Sequence, residues 1–561
     1  MWLEQCDSFA ELCRSYLPYY LLIILPIFIV VSPVNPVTAS HELPVYRMHQ
    51  YDLHGIAHGC RSASILLEAR ALSNWRTSRH CIITRLTDLT SDLFYSIKGK
   101  AGALIVMLPK NMHNLTADEE DQIISTEISM MTSGEISIPV YFSTWDQNLE
   151  AIINDLEVGF SGDDKGEKTS GAAELQSVIS AISASGYQVI VGTGQPNPRS
   201  DAKVATLYGK LVGYGAEEKL PTIALVAHYD SSSVATELSS GAESNASGVS
   251  MLLELARIFS ALYSMPKSRP QYNIIFVLSG GGKLNYFGSK KWLEDQFDGT
   301  ESSMIQYASY VICLEAVSAS DNLHLHVSKP PKENSFGYQL YRELFSVAES
   351  MNSGVKVEGI HKKINLAEEL LAWEHERYSI RRLPATTLSS LKSHEDARRN
   401  SLLDLMDNNQ INRLHLHTQI VAEALARRLY NVNSTEILSS TIEISKTSLE
   451  MWMKYLTSQP RAVPLLADKQ NPLISSLQEA MTRYLSDVKV SYYAADKRDP
   501  EFVFYDITKI VMNVYSVKPA IFDLFLTVAI ILYLAAVYFA VLKFPSVYSL
   551  LTRMTVKNKA A

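Results

Sequence analysis

Between residues 175 and 430 short apolar runs recur, each closed by glycine, proline or polar residues. "GYQVIVGT", "VATLYGKLVG", "TIALVAHYD", "YNIIFVLSG", "YASYVICLEAV" and "NLHLHVS" have the length and β-branched content of strands. Among them, "SGVSMLLELARIFSALY" sets Val249, Leu252, Leu253, Ala256, Ile258 and Phe259 at helical spacing. Strands separated by helices of this length predict an α/β fold, a largely parallel or mixed sheet with helices on both faces. Residues 41–160 carry strand-like runs such as "AGALIVMLP" and "IPVYFST" and read as a small N-terminal α/β lobe. Polar, glycine-rich "FSGDDKGEKTSG" then reads as a linker over 161–174. After the sheet domain (175–430), "NPLISSLQEAMTRYLSDV" places Leu473, Leu477, Ala480, Met481, Tyr484 and Val488 on one helical face. Residues 431–522 are therefore expected to form a helical neck.

The two ends are apolar in different ways. Residues 19–31, "YYLLIILPIFIVV", are short for a spanning helix and suit the core of a signal peptide over 1–40. Glu4, Asp7 and Glu11 outnumber Arg14 ahead of it, so an uncleaved anchor is the alternative. Residues 524–542, "LFLTVAIILYLAAVYFAVL", carry no charge and are long enough to cross a bilayer core. Lys543, Arg553, Lys557 and Lys559 follow, and positive flanks stay cytosolic. The expectation is a single span over 523–543, a cytosolic tail over 544–561, and the bulk of the chain on the other side.

Composition adds exclusions. With 561 residues, 47% hydrophobic and 20% charged, the chain has ample material for a core, and a net charge of −8 argues against a nucleic-acid surface. Cys6 and Cys13 precede the expected cleavage point, and Cys60, Cys81 and Cys313 are too few for a disulfide framework. A Cys60–Cys81 bridge stays open, and Cys313 reads as a small core residue. Asn114, Asn245 and Asn433 lie in glycosylation sequons. "VLSGGGKLNYFGS" looks like a phosphate loop, but Val277 stands where the first glycine of the P-loop pattern belongs, and Leu284 replaces its hydroxyl residue.

The chemistry-bearing positions fall at strand ends, where open α/β sheets bind ligands. "TIALVAHYD" ends in His228 and Asp230, which share one face of a strand, and a later strand-like run reaches Glu315. The loop "GAESNASG", the glycine-lysine run and "WEHERYSIRRLPA" with His375 complete an ordered set. That set resembles the di-zinc aminopeptidase family, which includes glutamate carboxypeptidase, the transferrin receptor and nicastrin. The resemblance implies that His228 stands at the first metal ligand, Glu315 at the acidic one, His375 at the last histidine and Asp230 at the carboxylate behind the metal. It equally implies three losses: Ser244 at the bridging Asp, Gly282 at the general base and Lys283 at the next ligand. A serine hydroxyl cannot offset the repulsion of two Zn²⁺ ions, and nothing at Gly282 can deprotonate a water. No catalytic residue, cofactor or retained metal is expected.

"VYRMHQYDLHG", "HLHVSKPP", "INLAEELLAWEHERYSIRRLPA" and "ADKRDPEFVFYD" resemble one non-peptidase branch of this family along the whole chain. That resemblance implies an endoplasmic-reticulum membrane glycoprotein whose partners are a NOMO-type lumenal protein and a small polytopic TMEM-type protein. It further implies a place in the ribosome-associated translocon for multi-pass proteins, and a link to antagonism of Nodal signalling. The rival readings are a mononuclear zinc hydrolase using His228, Glu315 and His375, and a receptor-like module binding a peptide in the old cleft.

Overall fold

A computed structural model describes residues 41–158, 186–264, 269–298, 304–432, 437–438, 442–468, 470–517 and 520–557. The expected signal peptide, the linker, Cys6, Cys13 and Asn433 lie outside the described residues.

The larger sheet has eight strands, in the order Val357–His361, Leu323–Val327, Ala385–Ser389, Ala308–Leu314, Thr222–His228, Asn273–Ser279, Lys203–Leu211 and Ser486–Ala494. Its middle is parallel: Thr222–His228 pairs in parallel with Asn273–Ser279 and with Ala308–Leu314, which pairs in parallel with Ala385–Ser389. Strands covered on both faces must be apolar on both faces, and every residue of Thr222–His228 and Asn273–Ser279 is buried. The helix Gly248–Ser264 covers one face, with Leu252, Leu255 and Phe259 in a core shared with Leu225 and Phe276. Trp292 and Tyr378 pack on the other face with Val226 and Val277. This is the expected mixed sheet with helices on both sides.

The N-terminal lobe is a closed barrel in the order His41–Arg47, Lys509–Val517, Gly186–Val191, Ile65–Arg70, His80–Arg85, Ala103–Met107 and Val140–Ser143. Two of its strands thus come from outside residues 41–160. Gly186–Val191, expected in the larger sheet, and Lys509–Val517 supply partners to strands that would otherwise be open edges. Residues 431–522 differ from a helical neck in the same way. Lys446–Thr457, Val463–Leu466 and Pro472–Tyr484 are helical, but Ser486–Ala494, Phe502–Tyr505 and Lys509–Val517 are strands. Val488, expected on the helix, lies instead in the edge strand, at a shift in its register. The helix buries Leu473, Ile474, Leu477, Ala480 and Met481 and stops at Tyr484, after which "SDVKVSYYA" alternates with period two.

Ala520–Lys557 is one helix, and within it Leu526–Ser546 has a mean hydropathy of 2.2 with none of its length buried. It is long and apolar enough to cross a membrane. Ala242–Ser264 is also apolar, but it is 78% buried and belongs to the soluble core.

Candidate functional site

Parallel register sets the carboxyl ends of the central strands level with each other. His228 ends its strand opposite Ser279, and Glu315 directly follows Leu314. These ends open on a cavity of about 520 Å³ whose lining includes His228, Lys283, Tyr286, Glu315, His394 and Arg399.

His228 is fully buried between two carboxylates, with Asp230 Oδ1 3.6 Å from Nδ1 and Glu315 Oε1 3.6 Å from Nε2. Burial opposes its charge, but the two carboxylates outweigh that and raise its pKa to about 9. Asp230 accepts from the backbone N–H groups of Gly282 and Lys283, each at 2.8 Å. The glycine-lysine run therefore does bind an anion, and that anion is the chain's own Asp230. Burial would raise the Asp230 pKa, but His228 and these two amides hold it below the ordinary range. Glycine at 282 is required by close approach: a Cβ there would sit 2.3 Å from His228 Cγ.

Glu315 is the centre of the network. Arg399 Nε and Nη2 both reach its Oε1, at 2.9 and 2.5 Å, and the Tyr286 hydroxyl lies 3.3 Å from Oε2. Lys283 Nζ donates to Ser244 Oγ at 2.6 Å, and Ser244 in turn donates to Glu315 Oε1 at 3.3 Å. Burial works against the Glu315 charge, yet Arg399, His228 and Lys283 hold it well below the carboxylate range. Burial brings the Lys283 pKa down to about 8, Glu315 opposing the shift and Arg399 adding to it. The Ser244 loop is pinned from behind by Asp404, which accepts from the N–H groups of Glu243 at 2.7 Å and Ser244 at 2.9 Å.

These residues do not fit a di-zinc centre. Arg399 already occupies the Glu315 oxygen, Ser244 offers a neutral hydroxyl, and Lys283 brings an ammonium into the site. Among the described residues no group of three or more His, Cys, Asp and Glu side chains is placed to hold a metal ion. Protein cations neutralise the carboxylates instead.

The structure brings His228, Asp230, Ser244, Gly282, Lys283 and Glu315 together, but not His375. That histidine begins the helix His375–Ile380, with Nδ1 2.9 Å from Thr387 Oγ1, and burial lowers its pKa to about 3. It starts the helix that leads into Ala385–Ser389 and is not among the residues lining the cavity. The loop after Ala385–Ser389 delivers His394 and Arg399, which the sequence reading missed. Their signal is position alone: "LKSHEDARRN" directly follows a buried parallel strand.

Asn245 is corrected as a glycosylation candidate. Its buried Nδ2 donates to the carbonyls of His228 at 3.0 Å and Leu314 at 2.8 Å, leaving no room for a glycan. Asn114 is exposed. Cys60, Cys81 and Cys313 are free and buried, and the first two lie in separate cores, so they do not pair.

Fold and site together define an aminopeptidase-like domain in which a lysine, an arginine and a histidine share the buried carboxylates. Residues 207–359 match Peptidase family M28. The solved structure of the gamma-secretase component nicastrin superposes with a TM-score of 0.58 at 13% identity, covering 86% of this chain and 100% of that one, which shows a shared fold. The Homo sapiens protein named BOS complex subunit NCLN is 42% identical over 569 residues, 99% of this chain and 100% of the relative. The Caenorhabditis elegans protein named Nicalin is 29% identical over 565 residues, 95% of this chain and 96% of the relative. The chain belongs to the nicalin family.

Proposed function

We propose that this protein is a non-enzymatic, single-span subunit of a BOS-type membrane complex. The observation that supports it most is 42% identity, end to end, with relatives named BOS complex subunits. The exposed apolar helix Leu526–Ser546 supplies the span, and the sheet domain and barrel sit in the lumen of the endoplasmic reticulum. Its partners are a NOMO-type lumenal protein and a small polytopic TMEM-type protein, and the complex supports insertion of multi-pass proteins at the ribosome-bound translocon. A link to antagonism of Nodal signalling belongs to the same reading. Peptide hydrolysis is not part of it: Gly282 carries no base to activate water, and Arg399 and Lys283 hold Glu315 as an internal counter-ion.

Affinity purification of the full-length tagged chain in a mild detergent tests the proposal. A NOMO-type and a small polytopic protein should co-purify in fixed ratio with it. A chain that elutes alone, and that hydrolyses peptides when supplied with zinc, overturns the reading.

A further inference from the structure

We infer that the strand Ser486–Ala494 is a docking edge that accepts an extended strand from a partner protein. Sheets leave backbone groups unpaired only at their edges. The barrel closes on itself, and a third sheet of five strands ends in Pro198–Arg199 and Glu135–Ile136, two residues each. One edge of the eight-stranded sheet is Val357–His361, five residues long. Edges this short offer little to a foreign chain. Ser486–Ala494 is different: it has nine residues, no proline and no glycine, and Ser486, Asp487, Lys489, Tyr492 and Ala494 are exposed. Among the described residues it pairs with Lys203–Leu211 alone and ends the sheet.

The register fixes which way its backbone faces. Lys203 and Ala205 are turned away from it: the Lys203 N–H donates to the Ala467 carbonyl at 2.9 Å, and the Ala205 carbonyl accepts from the Tyr229 hydroxyl at 2.7 Å. Val204, Thr206 and Tyr208 therefore turn toward it, opposite Tyr493, Ser491 and Lys489, whose N–H and C=O groups point inward. The alternate positions Val490, Tyr492 and Ala494 face outward. Side chains set the class of partner. Val490 and Tyr492 share one face, where Val490 packs against the main core and Tyr492 is 38% exposed, while Lys489 and Ser491 lie on the other. An added strand whose residues alternate apolar and polar in the same phase continues both faces and covers Tyr492. The occupant is a segment of another protein, because relatives 42% identical end to end are named subunits of a complex. The inference thus rests on the assembly proposed above and adds the surface and the mode of contact.

The test is amide hydrogen exchange, read by mass spectrometry on the peptide covering Ser486–Ala494. The full-length tagged chain is purified in mild detergent with its partners, and a second sample is stripped of them by salt. The inward amides of Lys489, Ser491 and Tyr493 should exchange slowly in both samples. Those of Val490, Tyr492 and Ala494 should be fast in the stripped chain and at least about tenfold slower in the assembly. In a second measurement, Val490→Pro removes an outward N–H and leaves the inner ladder intact. It should lower the co-purified partner at least about fivefold, whereas Val490→Thr, which keeps the N–H, should not. Unchanged exchange at Asn273–Ser279 shows that the sheet is intact in each variant. If Val490→Pro does not fold, the wild-type comparison decides. Partners present with equally fast outward amides in both samples overturn this inference and leave the assembly reading standing. A chain that purifies alone overturns that reading too. Slow outward amides in the stripped chain assign the edge to a second copy if it elutes as a dimer, or to a segment of the same chain if it elutes as a monomer; either result overturns the inference.

Discussion

Gly282→Ala is the smallest change that tests how tightly the strand-end network is packed. A Cβ built at 282 lies 2.3 Å from His228 Cγ, 2.5 Å from His228 Cβ and 2.6 Å from His228 Nδ1. Real contacts of this kind need well over 3 Å, so one side must move. His228 cannot turn away freely, because its ring sits between Asp230 and Glu315 and its backbone pairs in register with Ser279. Gly282 is equally tied, its N–H donating to Asp230 at 2.8 Å. Overpacking of this kind costs about 1–3 kcal/mol, and the parting of His228 from its carboxylates places this site at the upper end. For a domain of this size, at about 2 °C per kcal/mol, that corresponds to a fall of roughly 2–6 °C in melting temperature. The assay is thermal unfolding of the full chain in detergent followed by tryptophan fluorescence, with Gly99→Ala as control. An added Cβ at Gly99 meets nothing, and alanine there should leave stability unchanged or raise it by up to about 1 kcal/mol. Gly282→Glu, with a larger side chain, carries the same clash and should melt at least as low. A Gly282→Ala protein that melts with the wild type refutes the packing argument.

Arg399→Gln strips Glu315 of its two shortest hydrogen bonds, at 2.9 and 2.5 Å, and leaves a buried carboxylate short of positive charge. A loss of about 3–5 kcal/mol is expected by melting, and Glu315→Gln in the same chain should recover part of it. Stability should also fall in alkali through His228. Its folded pKa, raised to about 9 from 6.5, means that its contribution is full below pH 6.5 and lost as pH rises through about 9. That window is worth roughly 3 kcal/mol, and His228→Gln should flatten the slope of melting temperature against pH across it. For the sequons, mass spectrometry of the protein from its native membrane should find the Asn245 peptide without a glycan. A glycan at that asparagine would contradict its buried hydrogen bonds to His228 and Leu314.

The legible parts of the fold are those where burial leaves one reading. Thr222–His228 and Asn273–Ser279 are apolar throughout because both faces are covered, so they stand out as strands and their ends point to the site. Ser486–Ala494 and Lys509–Val517 are half exposed, and their alternation was overshadowed by the strongly helical run before them. That Lys509–Val517 closes a barrel begun by His41–Arg47 is a pairing between distant parts of the chain, which no local pattern carries. In the site, His228, Asp230 and Glu315 could be found because chemistry at a strand end has a positional rule. Arg399 and His394 sit in a charged, aperiodic loop that reads as solvated surface until the fold turns it inward. His375 failed for the converse reason: its surroundings resemble a motif, but its side chain packs against Thr387, on the strand that follows.

The same geometry explains how a strand-end cluster can stay closed on protein charges alone. Buried carboxylates at the ends of parallel strands require compensating charge. Asp230 is neutralised by His228 and two backbone amides, and Glu315 by Arg399, His228 and Lys283. Each compensating group comes from a different segment: a strand end, the glycine-lysine turn and the loop after Ala385–Ser389. Ser244 and Asn245 add the start of the Gly248–Ser264 helix, Asn245 accepting from Gly248 N–H at 3.1 Å and donating to two strand-end carbonyls. The network thus ties the carboxyl edge of the sheet to the helix that covers it. A metal entering this site would have to displace Arg399 from Glu315 and leave a buried guanidinium unpaired. That exchange is unfavourable at both ends, so the cluster works as a structural joint.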